Sequence, residues 1–107
     1  MDKVTAAAAI AGMLAGISTA ALAATTISQK DKTFSEESVT VKAGDKIRFV
    51  NEDTVTHNIT VKGPDGVAKP GVQEKPGDSI ELSFDDAGVS EVRCLIHPKM
   101  KLSVDVK

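Results

Sequence analysis

The chain has 107 residues, room for one compact domain, and its 13 Lys and Arg against 15 Asp and Glu leave a formal charge of −2. Basic and acidic residues alternate, with no basic stripe and no run of like charges, which excludes a nucleic-acid partner. A single cysteine excludes a disulfide framework, and the only aromatics are three Phe.

The first 24 residues differ sharply from the rest. Residues 4–24 carry no charge, consist mostly of Ala, Gly, Ile and Leu, and pass through Ala21-Leu22-Ala23, a small-x-small run of the kind signal peptidase cuts. This predicts a cleaved secretory signal over residues 1–23 and a mature domain over residues 24–107. A retained anchor is the alternative. The segment is long enough to span a bilayer, but Ala and Gly are weakly apolar, and Asp2 beside Lys3 makes a poor positive start. On either reading the remainder is exported, a periplasmic location, with no stable membrane association once the signal is gone.

From there on the pattern has period 2. Val39 and Val41 alternate with Thr40 and Lys42, and Ala43-Gly44-Asp45 makes a turn. Ile47 and Phe49 alternate with Lys46 and Arg48, and Asn51-Glu52-Asp53 makes another turn. Val55, His57, Ile59 and Val61 alternate with Thr54, Thr56, Asn58 and Thr60. After a long irregular stretch over residues 63–77, with Pro64, Pro70 and Pro76, the alternation resumes at Ile80, Leu82 and Phe84. It continues at Val92 and Cys94, and ends at Leu102, Val104 and Val106. Such segments are half-buried strands separated by Gly, Pro, Asp and Asn. About six or seven of them in one small domain predict an all-β, two-sheet antiparallel sandwich. There is no internal repeat and no linker.

A secreted domain this small often needs a staple, and a lone Cys94 in an oxidising compartment calls for an explanation. A metal supplies both. Beyond the leader the chain has two His, one Cys and one Met, and three of these four fall in Cys94-Leu95-Ile96-His97-Pro98-Lys99-Met100. The fourth, His57, lies on an apolar strand face. One thiolate, two imidazoles and a thioether are the ligand set of a type 1 copper site, with two His and one Cys in a trigonal plane and Met weakly axial. Taken singly, each residue has an ordinary reading: a small buried hydrophobe for Cys94, a satisfied core histidine for His57, core filler for Met100. Their joint spacing carries the metal reading. Cys94 ends a strand, Pro98 keeps His97 out of helical backbone, and Met100 opens the last strand. Zinc fits less well, because a thioether is a poor zinc ligand. A covalent haem is excluded by the absence of C-x-x-C-H.

With these residues in hand, the sequence resembles the cupredoxins, closest to their amicyanin and plastocyanin branch. The likeness covers Val39-Thr40-Val41-Lys42-Ala43-Gly44-Asp45, Ile47-Arg48-Phe49-Val50-Asn51, His57-Asn58, Phe84-Asp85-Asp86-Ala87-Gly88 and the short Cys94–Met100 loop. It implies a Greek-key sandwich of about seven to eight strands with copper near one end. His57 is then the inner ligand, Cys94 the thiolate that gives the blue colour, His97 the exposed ligand and Met100 the axial one. Asn58 takes a place that hydrogen-bonds around the Cys loop. Two departures stand out: the tyrosine corner is missing, and Lys99 occupies a position that is commonly apolar.

The implied function is a monomeric type 1 copper protein that shuttles single electrons through Cu(I) and Cu(II). Its partners by resemblance are a donor such as a periplasmic dehydrogenase and a c-type cytochrome acceptor. The alternative is a periplasmic copper carrier or storage protein, although such proteins favour Met- or His-rich exchangeable sites. An enzyme with a second copper centre needs further His ligands than this sequence offers.

Overall fold

The structure, a computed structural model, describes residues 25–107. The expected signal over residues 1–23 lies outside the described residues. Within them the chain is built of strands: β1 (Thr25–Lys30), β2 (Thr33–Phe34), β3 (Ser38–Val41), β4 (Asp45–Asn51), β5 (His57–Lys62), β6 (Val72–Glu74), β7 (Ser79–Phe84), β8 (Gly88–Arg93) and β9 (Lys101–Val106). They form two sheets, in the orders β2-β1-β4-β7 and β3-β9-β8-β5-β6. The all-β Greek-key sandwich expected from the sequence is the fold.

Three features differ from the sequence reading. Nine strands are present among the described residues, because β1, β2 and β6 add to the six that alternation marks. Each sheet is mixed, since β1 runs parallel to β4 and β3 parallel to β9. Alternation fixes which face of a strand is buried but says nothing of its direction, and these pairs join segments far apart in the chain. Finally, β5 starts at His57 and not at Thr54. The Asn51 side chain holds residues 52–56 as a loop: its amide donates to the carbonyls of Val55 and Glu74, each at 2.9 Å, and its Oδ1 accepts from the Asp53 N–H at 2.9 Å.

The inner faces bring Ile27, Ile47 and Phe49 of one sheet against Ile59, Val92, Leu102 and Val104 of the other, all buried. Phe34 meets Phe49 edge-on, ring centroids 6.3 Å apart and planes at 66°, the arrangement that aromatic quadrupoles favour. Cys94 and Met100 belong to this same buried cluster, so the site grows out of the core.

One turn bears on that site. Lys30 and Thr33 pair across Asp31 and Lys32, whose φ angles are +53° and +59°. This two-residue hairpin turn matches the twist of the strands and usually takes Asn-Gly. A side chain there costs roughly 1–2 kcal/mol per residue, so the turn is held by other contacts. The Lys32 N–H donates to Asp53 Oδ2 at 2.8 Å.

Candidate metal centre

Cys94 follows directly on β8, where Ser90 and Val92 already face inward, so the next residue on that face is the cysteine. β8 runs antiparallel to β5 with Thr60 opposite Arg93. The chain leaving β8 therefore travels alongside β5 toward its first residue, His57. Two successive turns then reverse it: the His97 N–H donates to the Cys94 carbonyl at 3.2 Å, and the Met100 N–H to the His97 carbonyl at 2.9 Å. Pro98 holds the backbone between them.

The result brings three donor atoms together. His57 Nδ1 and His97 Nδ1 lie 3.1 Å apart, and Cys94 Sγ lies 3.7 Å from the first and 3.6 Å from the second. A triangle with these sides has its centre about 2.0 Å from each corner, close to the bond lengths of a first-row metal ion with imidazole nitrogen. A thiolate with two imidazoles suits copper. His57 and Cys94 are buried, and His97 is partly exposed. Met100 is buried just after the turns, in the same cluster as Cys94. Leu95 and Ile96, by contrast, are 65% and 54% exposed.

The surrounding contacts orient the donors. His57 Nε2 sits 3.0 Å from Asp53 Oδ2. With the proton on Nε2 and shared with this carboxylate, Nδ1 is left bare toward Cys94 and His97, as a metal ligand must be. The same Asp53 side chain, 9% exposed, accepts from the Lys32 N–H and, through Oδ1, from the Thr54 N–H at 2.8 Å. The Lys32 N–H first, and His57 after it, lower the Asp53 pKa to about 2 from its ordinary 3.8. In the unfolded chain the carboxyl takes up its proton near 3.8, whereas in the folded chain it resists until about 2. Its contribution to stability is therefore complete above about pH 4 and lost as the pH falls toward 2. Asp53→Asn should flatten the fall of melting temperature with acid across that window. Identical pH profiles for variant and parent would contradict this role.

At the sulfur, the backbone N–H of Asn58 donates to Cys94 Sγ at 3.3 Å. The sequence reading gives Asn58 a role around the Cys loop. The structure supplies that contact from the main chain, while the side chain's Oδ1 accepts from Thr60 Oγ1 at 2.6 Å. Gly71 lies against this pair so closely that a Cβ there would stand 2.5 Å from Asn58 Oδ1 and 2.7 Å from Thr60 Oγ1. Gly71→Ala is thus expected to displace Asn58 and loosen its N–H···S bond. Faster deuterium exchange at the Asn58 amide, read by NMR, checks this. An unchanged rate would mean the side chains yield without moving the backbone.

Asp53 is missed by sequence reasoning, because its contact to His57 crosses a loop and leaves no mark on the alternation. So is a buried polar pair beside the site. Gln29 Nε2 donates to Glu74 Oε1 at 2.6 Å, both side chains fully buried, and Glu74 lies opposite His57 in the β5–β6 ladder. Burial pushes the Glu74 carboxyl above its ordinary range.

Comparison with known proteins agrees with this geometry. The model of the copper binding proteins of the plastocyanin/azurin family matches residues 21–107. Amicyanin-alpha of Methylorubrum extorquens is 28% identical over 103 residues, covering 94% of this chain and 87% of that protein. The methylamine utilization protein MauL of the same organism is 34% identical over 65 residues, 61% of this chain. The chain spans 57% of MauL's length. Among solved structures, amicyanin from Paracoccus versutus superposes with a TM-score of 0.71 at 26% identity, covering 78% of this chain and 81% of that one. The reduced Cu(I) form of an amicyanin mutant gives 0.71 at 24% identity over 78% of this chain and 82% of that one, a likeness of fold.

Proposed function

We propose that this chain, which belongs to the plastocyanin/azurin family of copper-binding proteins, carries single electrons between exported redox proteins. The observation that supports this best is the triangle of Cys94 Sγ, His57 Nδ1 and His97 Nδ1. In this reading these three residues would hold the copper, with Met100 as a fourth, weaker ligand. Bound copper supplies a centre that takes up and releases one electron. The chain's own part is to keep that centre's surroundings fixed. His57 is anchored by β5 and Asp53, Cys94 by β8 and the Asn58 N–H, and His97 by the two turns. Little needs to move when the charge changes.

His97 reaches the surface within a rim of Leu95, Ile96 and Pro98, all exposed. A small apolar patch at such a ligand suits the brief, weak docking of electron-transfer encounters. The mature domain, residues 24–107, would work in the periplasm as a monomer once residues 1–23 are cleaved. Its donor would be a periplasmic dehydrogenase and its acceptor a c-type cytochrome, as the amicyanin resemblance implies. A carrier that hands over copper needs its ligands within reach of a recipient, whereas Cys94 and His57 are buried. The chain acts on this account as a carrier of electrons and not as an enzyme.

Voltammetry of the copper-loaded domain tests the proposal. The expected result is one reversible one-electron wave, with the metal retained against a competing chelator in both oxidation states. Loss of copper on reduction would favour the metal-carrier reading instead.

A further inference from the structure

Next to His97 lies an open groove of about 470 Å³. One wall is the β1–β2 turn, with Asp31 and Lys32, and the other is the loop Ile96, His97, Pro98 and Lys99. We infer that this groove receives the carboxylate-bearing edge of an acidic redox protein, with Lys32 and Lys99 flanking the point where the electron passes. The inference rests on the electron-carrier reading and names the chemistry of its partner.

Two independent observations carry it. The first is charge. Two lysines and one aspartate line the groove, on a chain whose net charge is −2. Both lysines are exposed, and they come from the two different segments that line the groove together with His97. A positive cleft on a negative molecule orients an approaching acidic partner toward the copper end and turns a basic one away. The second is the backbone. Lys32 occupies a left-handed position, φ +59°, that Gly or Asn fills at lower cost. Its N–H is tied to Asp53 Oδ2, and that same oxygen contacts His57 Nε2. The turn that presents Lys32 is thereby fixed relative to the ligand cluster through one carboxylate. Strain held in place by contacts beside a site is a mark of function. Exposed Ile96 and Pro98 complete the surface with an apolar contact, so the occupant is a folded protein with carboxylates around an apolar patch, and not a small anion.

Stopped-flow oxidation of the Cu(I) protein by an acidic c-type cytochrome and by a strongly basic cytochrome c tests this, with ferricyanide as a small reference oxidant. Wild type is compared with Lys32→Glu, Lys99→Glu and the double variant, at low and high salt. The Lys32→Glu exchange keeps the N–H to Asp53. With the acidic cytochrome, the second-order rate constant should fall as salt rises, and fall roughly tenfold or more in the double variant. With the basic cytochrome the variant should gain. Variants that keep the copper spectrum and the ferricyanide rate, yet react with the acidic cytochrome within about twofold of wild type, overturn the docking inference alone. A wild-type protein that exchanges electrons with none of the three overturns the electron-carrier reading, and the inference with it.

Discussion

Replacing Cys94 with serine should abolish the intense visible absorption of the copper-loaded protein while leaving the domain folded. The colour of such a site requires a thiolate bound to copper, and a serine hydroxyl at this position stays protonated and binds the ion poorly. Cys94 is buried, at the end of β8, and its sulfur is the acceptor for the Asn58 N–H at 3.3 Å. Oxygen can accept that bond too, so the variant loses the metal chemistry more than the fold. Copper affinity, measured by competition with a chelator, should drop by more than the roughly 10–100-fold that losing an outer contact costs. A variant that keeps the band would mean the sulfur is not a ligand. A variant that unfolds would show instead that the thiol serves the core.

The largest effect on stability is expected at Phe49. It is fully buried in β4, opposite Ile27 on one side and Ile80 on the other, and Phe34 packs edge-on against it. Phe49→Ala removes the largest fully buried side chain and leaves a cavity in the core. Substitutions of this kind cost about 3–5 kcal/mol, against a total of about 5–15 kcal/mol for a domain. The metal-free variant should therefore unfold at much lower denaturant than wild type. Copper, binding only the folded state, should restore part of the difference. Denaturant titrations with and without copper measure both. A loss below about 1 kcal/mol would contradict the packing described for this site.

Six strands were legible because their buried residues are apolar and recur every second position. Ile47 with Phe49, and Leu102 with Val104, are such pairs. β1 and β6 escaped for a reason the structure makes plain. The inward positions of these strands include Gln29 and Glu74, two polar side chains joined by one hydrogen bond across the interior. Each hides its own strand, since a polar residue at an inward position breaks the apolar alternation. The parallel pairings of β1 with β4 and β3 with β9 join distant segments and leave no local trace.

The site divides in the same way. Cys94, His97 and Met100 stand out by rarity and spacing, and His57 by its place on the same face as Ile59. Asp53 reads as a turn residue, and its bond to His57 depends on how Asn51 folds the loop between them. The Asn58 contact to sulfur belongs to a backbone N–H, which no side-chain pattern reveals. What a sequence shows of such a centre is its rare donors. What orients them lies in ordinary residues placed by tertiary structure.

The most direct measurement is a titration of the domain, residues 24–107, with Cu(II), followed by visible absorption and electron paramagnetic resonance. An intense blue band that saturates at one copper per chain, with narrow copper hyperfine splitting, is the expected result. A pale protein with a broad, ordinary copper signal would contradict it, because His57, Cys94 and His97 would then not act together on one ion.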